Sequence, residues 1–192
     1  ILPTHLIHSD AFSEECGNDV YIKPENLQKT GAFKIRGAYN KIMKLDDEAK
    51  KKGLIASSAG NHAQGVAYAA KKLGVKATIC MPAHTPLIKV DATKAHGADV
   101  VLYGEAYDEA YEKAVELQKS EGYTFVHPFD DEDVMEGQGT IALEIMEELP
   151  TGTIAITTPI TVAGFCEQAG VSTSQVIMAL MKLGIMANIN QN

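Results

Sequence analysis

From Gly53 to Leu149, short runs that are apolar on both faces alternate with longer segments of helical periodicity. Gly53–Ala56 (GLIA), Lys76–Met81 (KATICM), Ala98–Tyr103 (ADVVLY) and Tyr123–His127 (YTFVH) read as strands covered on both sides. Between them, the spacing predicts helices over Ala63–Leu73 with Gly74 as the stop, over Pro86–His96 and over Ala106–Glu121, and then an acidic helix reaching Leu149. Upstream, Asp19–Lys23 (DVYIK) reads as a further strand and Phe33–Lys51 as a helix. Strands alternating with helices of roughly 10 to 15 residues predict right-handed βαβ units. The expected fold class is α/β, an open, mainly parallel sheet flanked by helices.

The pattern changes after Leu149. Thr153–Thr157 and Ile160–Val162 look extended, and Thr161 can cap a short helix ending at Ala169 with Gly170 as its stop. Ser172 opens a second helix, and Gln175 three residues on completes a capping box. Val176, Ile177, Leu180, Met181 and Leu183 share one face of that helix, and Gly184 ends it. Charge changes at the same place. Residues 151–192 contain only Glu167 and Lys182, so the rest of the chain carries the whole net charge of −8. The expected organisation is an α/β domain over 1–150, a junction at 151–152 and a small helical C-terminal module over 153–192. A module of about 40 residues is too small for a robust core of its own.

The overall composition of 45% hydrophobic and 22% charged residues is that of an ordinary globular domain. No apolar run approaches the roughly 18 residues of a membrane helix, and the acidic balance argues against a nucleic-acid or anionic-membrane partner. Cys16, Cys80 and Cys166 are scattered without CxxC spacing, and neither paired CxxC nor HExxH is present, so no metal site is expected and a reducing, cytoplasmic location fits.

Two segments carry candidate chemistry. In Lys29–Ala38 (KTGAFKIRGA), Lys34 lies just inside a helix start, where the positive helix end and partial burial both favour a neutral, nucleophilic amine. A routine lysine at a surface helix start is the other reading. In Ser57–Gly65 (SSAGNHAQG), small residues between a strand and a helix can turn successive N–H groups toward a carboxylate or phosphate. An ordinary strand-to-helix turn capped by Ser or Asn is the alternative there, and His62 reads as a packed turn residue rather than a base.

The order KTGAFKIRGA, SAGNHAQGVA, GVKATICMP, EGQGTIALEI resembles the fold-type II pyridoxal-phosphate enzymes, most of all the threonine dehydratase and serine racemase branch. The resemblance runs from about Leu2 to Leu149. It implies that Lys34 binds the cofactor covalently, that Phe33 flanks its ring and that Asn61 bonds its ring oxygen. Ser58, Ala59, Gly60, Asn61 and His62 would hold the substrate carboxylate. Ala59 stands where the racemases carry a proton-donating serine, so the dehydratase side fits better. The implied reaction is β-elimination from L-threonine or L-serine, giving a 2-keto acid and ammonia, with Lys34 also shuttling the proton.

Members of that family continue with a run of glycines that holds the cofactor phosphate, whereas Gly152, Gly164, Gly170 and Gly184 stand singly here. Instead, PITVAGFCEQAGVSTSQVIMALMKLGIMANINQ resembles the small N-terminal domain of bacterial translation initiation factor two. Ala163 and Gly164 depart from the charged helix formers usual at those positions. The sequence therefore reads as an engineered chimera of a truncated dehydratase and an initiation-factor module, made for folding or domain recombination. It is expected to be catalytically inactive and not to retain the cofactor; the alternative is a residual pyridoxal-phosphate-dependent L-threonine/L-serine ammonia-lyase. Apolar positions such as Val20, Ile22, Ile141, Ile145 and Met146 predict self-association, as a dimer.

Overall fold

The protein, in a computed structural model, is described over residues 1–149, 161–169 and 172–182. The chain divides into two units, one of Ile1–His5 and Pro24–Ile141, the other of Leu6–Lys23 and Ala142–Asn192. In the second unit, β1 (Ile7–His8) and β2 (Tyr21–Ile22) form an antiparallel ladder around α1 (Asp10–Cys16). Ser9 accepts a hydrogen bond from the Phe12 N–H, and Gly17 at φ 68° stops the helix. The Asp19–Lys23 strand is thus shorter than the apolar alternation suggests. Its partner, β1, has no sequence pattern beyond two residues.

The first unit is the expected sheet. β3 (Leu54–Ser57), β4 (Ala77–Met81), β5 (Asp99–Leu102) and β6 (Thr124–Phe125) pair in the order β5-β4-β3-β6, parallel throughout. All four residues of β3 are buried, because helices cover both of its faces. Residues α2 (Lys34–Lys44) and α4 (Asn61–Leu73) contribute Ala38, Ile42, Val66 and Ala70 to one layer, where they join Leu54, Ala56, Ile79 and Met81 of the strands. On the other face Ile55 and Cys80 meet Ala114 and Leu117 of α6 (Tyr107–Glu121). Each fully buried Leu or Ile stabilises by about 1.5–3 kcal/mol.

The single helix expected over Phe33–Lys51 is two. Leu45 is extended at ψ 144°, and the Asp46 carboxylate accepts from the Ala49 N–H at 2.7 Å to start α3 (Asp47–Lys52). A good cap at Asp46 competes with helix continuation, and periodicity alone does not register it. The Tyr123–His127 strand shrinks to the two residues of β6, although Val126 N–H still reaches the Ile55 carbonyl at 2.9 Å. α5 (Leu87–Ala95) lies within its expected bounds, and α7 (Glu132–Glu148) begins where Asp131 accepts from the Val134 N–H.

Beyond Leu149, Val162 is not extended but opens α8 (Val162–Ala169), because Thr161 Oγ1 takes the Gly164 N–H at 3.0 Å and starts the helix there. α9 (Thr173–Lys182) has the expected capping box. Gln175 N–H donates to Ser172 Oγ at 3.3 Å, and Gln175 Oε1 accepts from Ser172 N–H at 3.3 Å. Val176, Ile177 and Leu180 are half-buried. The Thr153–Thr157 strand, the junction at 151–152 and the Gly170 and Gly184 stops lie outside the described residues. Among the described residues, no helix is long and apolar enough to cross a membrane, and no cluster of His, Cys, Asp or Glu could hold a metal.

Candidate active site

Lys34 is the first residue of α2. Phe33 precedes it in helical geometry with no side-chain cap, so the donors of the first turn need partners from elsewhere. Gln138 on α7 supplies one, accepting from the Gly37 N–H at 3.1 Å. The entry to α2 is anchored by an ion pair between the buried Arg36 and the half-buried Glu25. The Arg36 guanidinium grips Glu25 through Nε and Nη2, both at 2.8 Å, and also donates to Thr140 Oγ1 at 3.1 Å. Burial pushes the Glu25 carboxyl upward, but hydrogen bonds from Arg36 and Thr4 outweigh it and hold it below the ordinary value. This network fixes both ends of the segment that presents Lys34.

The Lys34 side chain folds back into the unit. Its Nζ donates to the Pro128 carbonyl at 2.7 Å and lies 5.4 Å from the centroid of the Phe33 ring. Burial lowers its pKa below that of an ordinary lysine, which raises the fraction of free amine available as a nucleophile. The amine thus rests between a main-chain oxygen and the ring of the residue before it.

The second segment leaves the end of β3 and opens α4. Ser58 Oγ accepts from the Gly60 N–H at 3.2 Å, folding the turn onto itself. Gly60 then precedes α4 with no side-chain cap, so the first N–H groups of a 13-residue helix are left uncapped by any side chain of the turn. A Cβ at Gly60 would meet nothing within 4 Å, so the space in front of the turn is open. Ser58, Ala59 and Gly60 are half-buried and Asn61 is exposed. The two segments touch through Gly65, where a Cβ would stand 3.1 Å from the Lys34 carbonyl carbon and the Ile35 nitrogen. A side chain at this position would push α4 and the start of α2 apart by a few tenths of an ångström.

His62 turns inward. Its Nε2 lies 2.9 Å from the Val126 carbonyl, its Nδ1 is buried without a partner, and burial lowers its pKa to about 4. It is the packed turn residue expected, and only its backbone belongs to the open end of α4. Ser57 Oγ is likewise buried and unpartnered. Four groups escape sequence reasoning: the carbonyls of Val126 and Pro128, because main-chain acceptors have no residue signature, and the side chains of Gln138 and Glu25. Gln138 at least lies within the EGQGTIALEI motif.

The family model described as pyridoxal-phosphate dependent enzyme matches residues 1–172. That described as translation initiation factor IF-2, N-terminal region, matches residues 157–192, so the two share 157–172. An L-threonine ammonia-lyase of Thermotoga maritima is 57% identical over 147 residues, covering 77% of this chain and 37% of the relative. The catabolic L-threonine dehydratase TdcB of Escherichia coli is 47% identical over 149 residues, 78% of this chain and 45% of the relative. The chain spans less than half the length of these curated relatives. Among solved structures, the processed form of threonine deaminase isoform 2 from Solanum lycopersicum has a TM-score of 0.80 at 43% identity, covering 93% of this chain and 52% of that one. A serine racemase from Dictyostelium discoideum has a TM-score of 0.78 at 34% identity, covering 91% and 57%.

Proposed function

The chain belongs to the pyridoxal-phosphate dependent enzyme family, and from that premise we propose that it is a threonine dehydratase fragment, over 1–150, joined through 151–152 to an initiation-factor N-terminal module over 153–192. The fusion is an engineered chimera without turnover of its own. The observation that carries the dehydratase reading is the half-buried Lys34 amine of lowered pKa, beside the Phe33 ring, on a residue whose main chain packs against Gly65.

These residues fit the reactive end of the cofactor. Lys34 would bond its aldehyde carbon and later move a proton at Nζ. Phe33 would cover the ring and the Asn61 amide would bond the ring oxygen. The Ser58–His62 turn would hold the substrate carboxylate, chiefly through the N–H groups of Ala59, Asn61 and His62, since those of Ser58 and Gly60 already bond the Cys80 carbonyl and Ser58 Oγ. L-Threonine or L-serine would be the substrate. When bound, the cofactor supplies an electron sink for the pair left behind by the α-proton. The phosphate is less well served. After Leu149 the glycines stand singly, and losing a phosphate cradle removes several charge-assisted hydrogen bonds of about 1.5–3 kcal/mol each.

We expect no keto acid from L-threonine or L-serine, and no visible absorbance band surviving gel filtration after incubation with pyridoxal phosphate. Keto acid production that disappears in Lys34→Ala would establish the second reading, a residual ammonia-lyase, which the geometry at Lys34 favours. We also place the protein in the cytoplasm, since its three cysteines are unpaired, and read it as a self-associating chain. Of the positions that suggest this, Ile22 and Met146 are exposed whereas Val20, Ile141 and Ile145 are half-buried. Ile7, Phe12 and Leu143 are further exposed apolar side chains of the second unit, and such side chains in number are seldom left in water.

A further inference from the structure

We propose that His62 is a positioning residue for Lys34: its imidazole, as the Nε2–H tautomer, pins the Val126–Pro128 segment and so sets where the lysine amine rests. A carbonyl oxygen can only accept, so the 2.9 Å contact with Val126 places the proton on Nε2. Nδ1 is then a bare acceptor, in keeping with its lack of a partner in a residue only 3% exposed.

From Val126 to Pro128 the chain is stiff. The Val126 N–H is held by the Ile55 carbonyl at 2.9 Å. Pro128 fixes its own φ and restricts His127 before it. His127 Nδ1 closes the following turn by accepting from the Asp130 N–H at 2.8 Å and the Phe129 N–H at 3.4 Å. A displacement at the Val126 carbonyl therefore carries to the Pro128 carbonyl, on which Lys34 Nζ sits at 2.7 Å. The ionisable groups facing His62 are Lys34 and His127, both cationic when protonated, and they reinforce burial in keeping the ring neutral.

The inference deepens the reading of Lys34 as the reactive lysine, and its test uses the protein without cofactor, so failure of one leaves the other standing. Lysines are labelled with acetic anhydride across a pH series, and the Lys34 peptide is quantified against those of exposed Lys51 and Lys89. In the unsubstituted chain burial holds the Lys34 midpoint below that of an ordinary lysine. In His62→Leu the amine is released toward water and its midpoint should move up by about half a unit or more, while His62→Gln, which keeps a donor at the same reach, should restore the original value. A folded His62→Leu chain with an unchanged Lys34 midpoint overturns the proposal. So does a His62→Gln chain that behaves like His62→Leu. Should His62→Leu not fold, ¹⁵N spectra of the unsubstituted chain decide: a ring protonated on Nδ1 overturns the assignment and one protonated on Nε2 supports it.

Discussion

Gly137 on α7 and Gly37 on α2 meet backbone to backbone: a Cβ on Gly137 would stand 2.6 Å from both the Gly37 Cα and the Arg36 carbonyl oxygen. Two turns of helix are thereby held at a distance no side chain allows. Gly139, one position beyond Gln138 on the same helix, has nothing within 4 Å of its Cβ direction. Gly137→Ala should therefore cost about 1–3 kcal/mol through forced backbone movement. Gly139→Ala should gain up to about 1 kcal/mol from helix propensity. Urea unfolding of the two variants checks the pair; equal shifts would contradict the crossing described.

The Glu25–Arg36 pair makes an asymmetric prediction. Arg36→Met alone leaves the half-buried Glu25 carboxylate with only Thr4 and Gln28 as partners and should destabilise by about 1–3 kcal/mol. The double variant Arg36→Met with Glu25→Leu should recover most of that loss, since an apolar pair needs no solvation. A double-mutant cycle by chemical denaturation measures the coupling.

His62 gives the fold a pH slope. Its pKa is about 4 in the folded chain against an ordinary 6.5. Between those values the unfolded chain takes up a proton that the native ring refuses, so stability falls as pH falls. Stability is full above about pH 6.5, and the loss amounts to on the order of 3 kcal/mol by pH 4. His96, whose pKa burial also lowers, contributes in the same direction. Unfolding midpoints followed over this range should slope more gently in His62→Gln than in the unsubstituted chain.

Self-association is tested by light scattering after size exclusion. A mass near twice the chain's 20.6 kDa is expected, falling toward one chain when Met146 and Leu143 are both replaced by Glu. A single-chain mass at every concentration would remove the reading.

The sheet is legible in the sequence because its strands are apolar on both faces, as in ATICM, and its helices end at glycines such as Gly74 and Gly122 in left-handed geometry. α1 also carries a signal, Ser9 before it and Gly17 after it, but none of its residues is buried and they give no apolar stripe to follow. The break at Leu45–Asp46 is a local competition between cap and helix, decided by one carboxylate. At the site, Lys34 and the Ser57–Gly65 turn are written in residue types. The acceptor for Lys34 is a main-chain oxygen 94 residues away, and nothing in a side-chain pattern can announce it.

That separation has a consequence for the order in which the surroundings of Lys34 are assembled. β3, β4 and β5 are neighbours in sequence as well as in the sheet, whereas β6 docks beside β3 only after about seventy intervening residues. Loop closure over such a span comes late in folding, when the local pairings already exist. The carbonyl that receives Lys34 travels with β6. Until that last strand seats, the Lys34 amine lacks its main-chain acceptor, so the link between the start of α2 and the end of the sheet is made only when the fourth strand completes it.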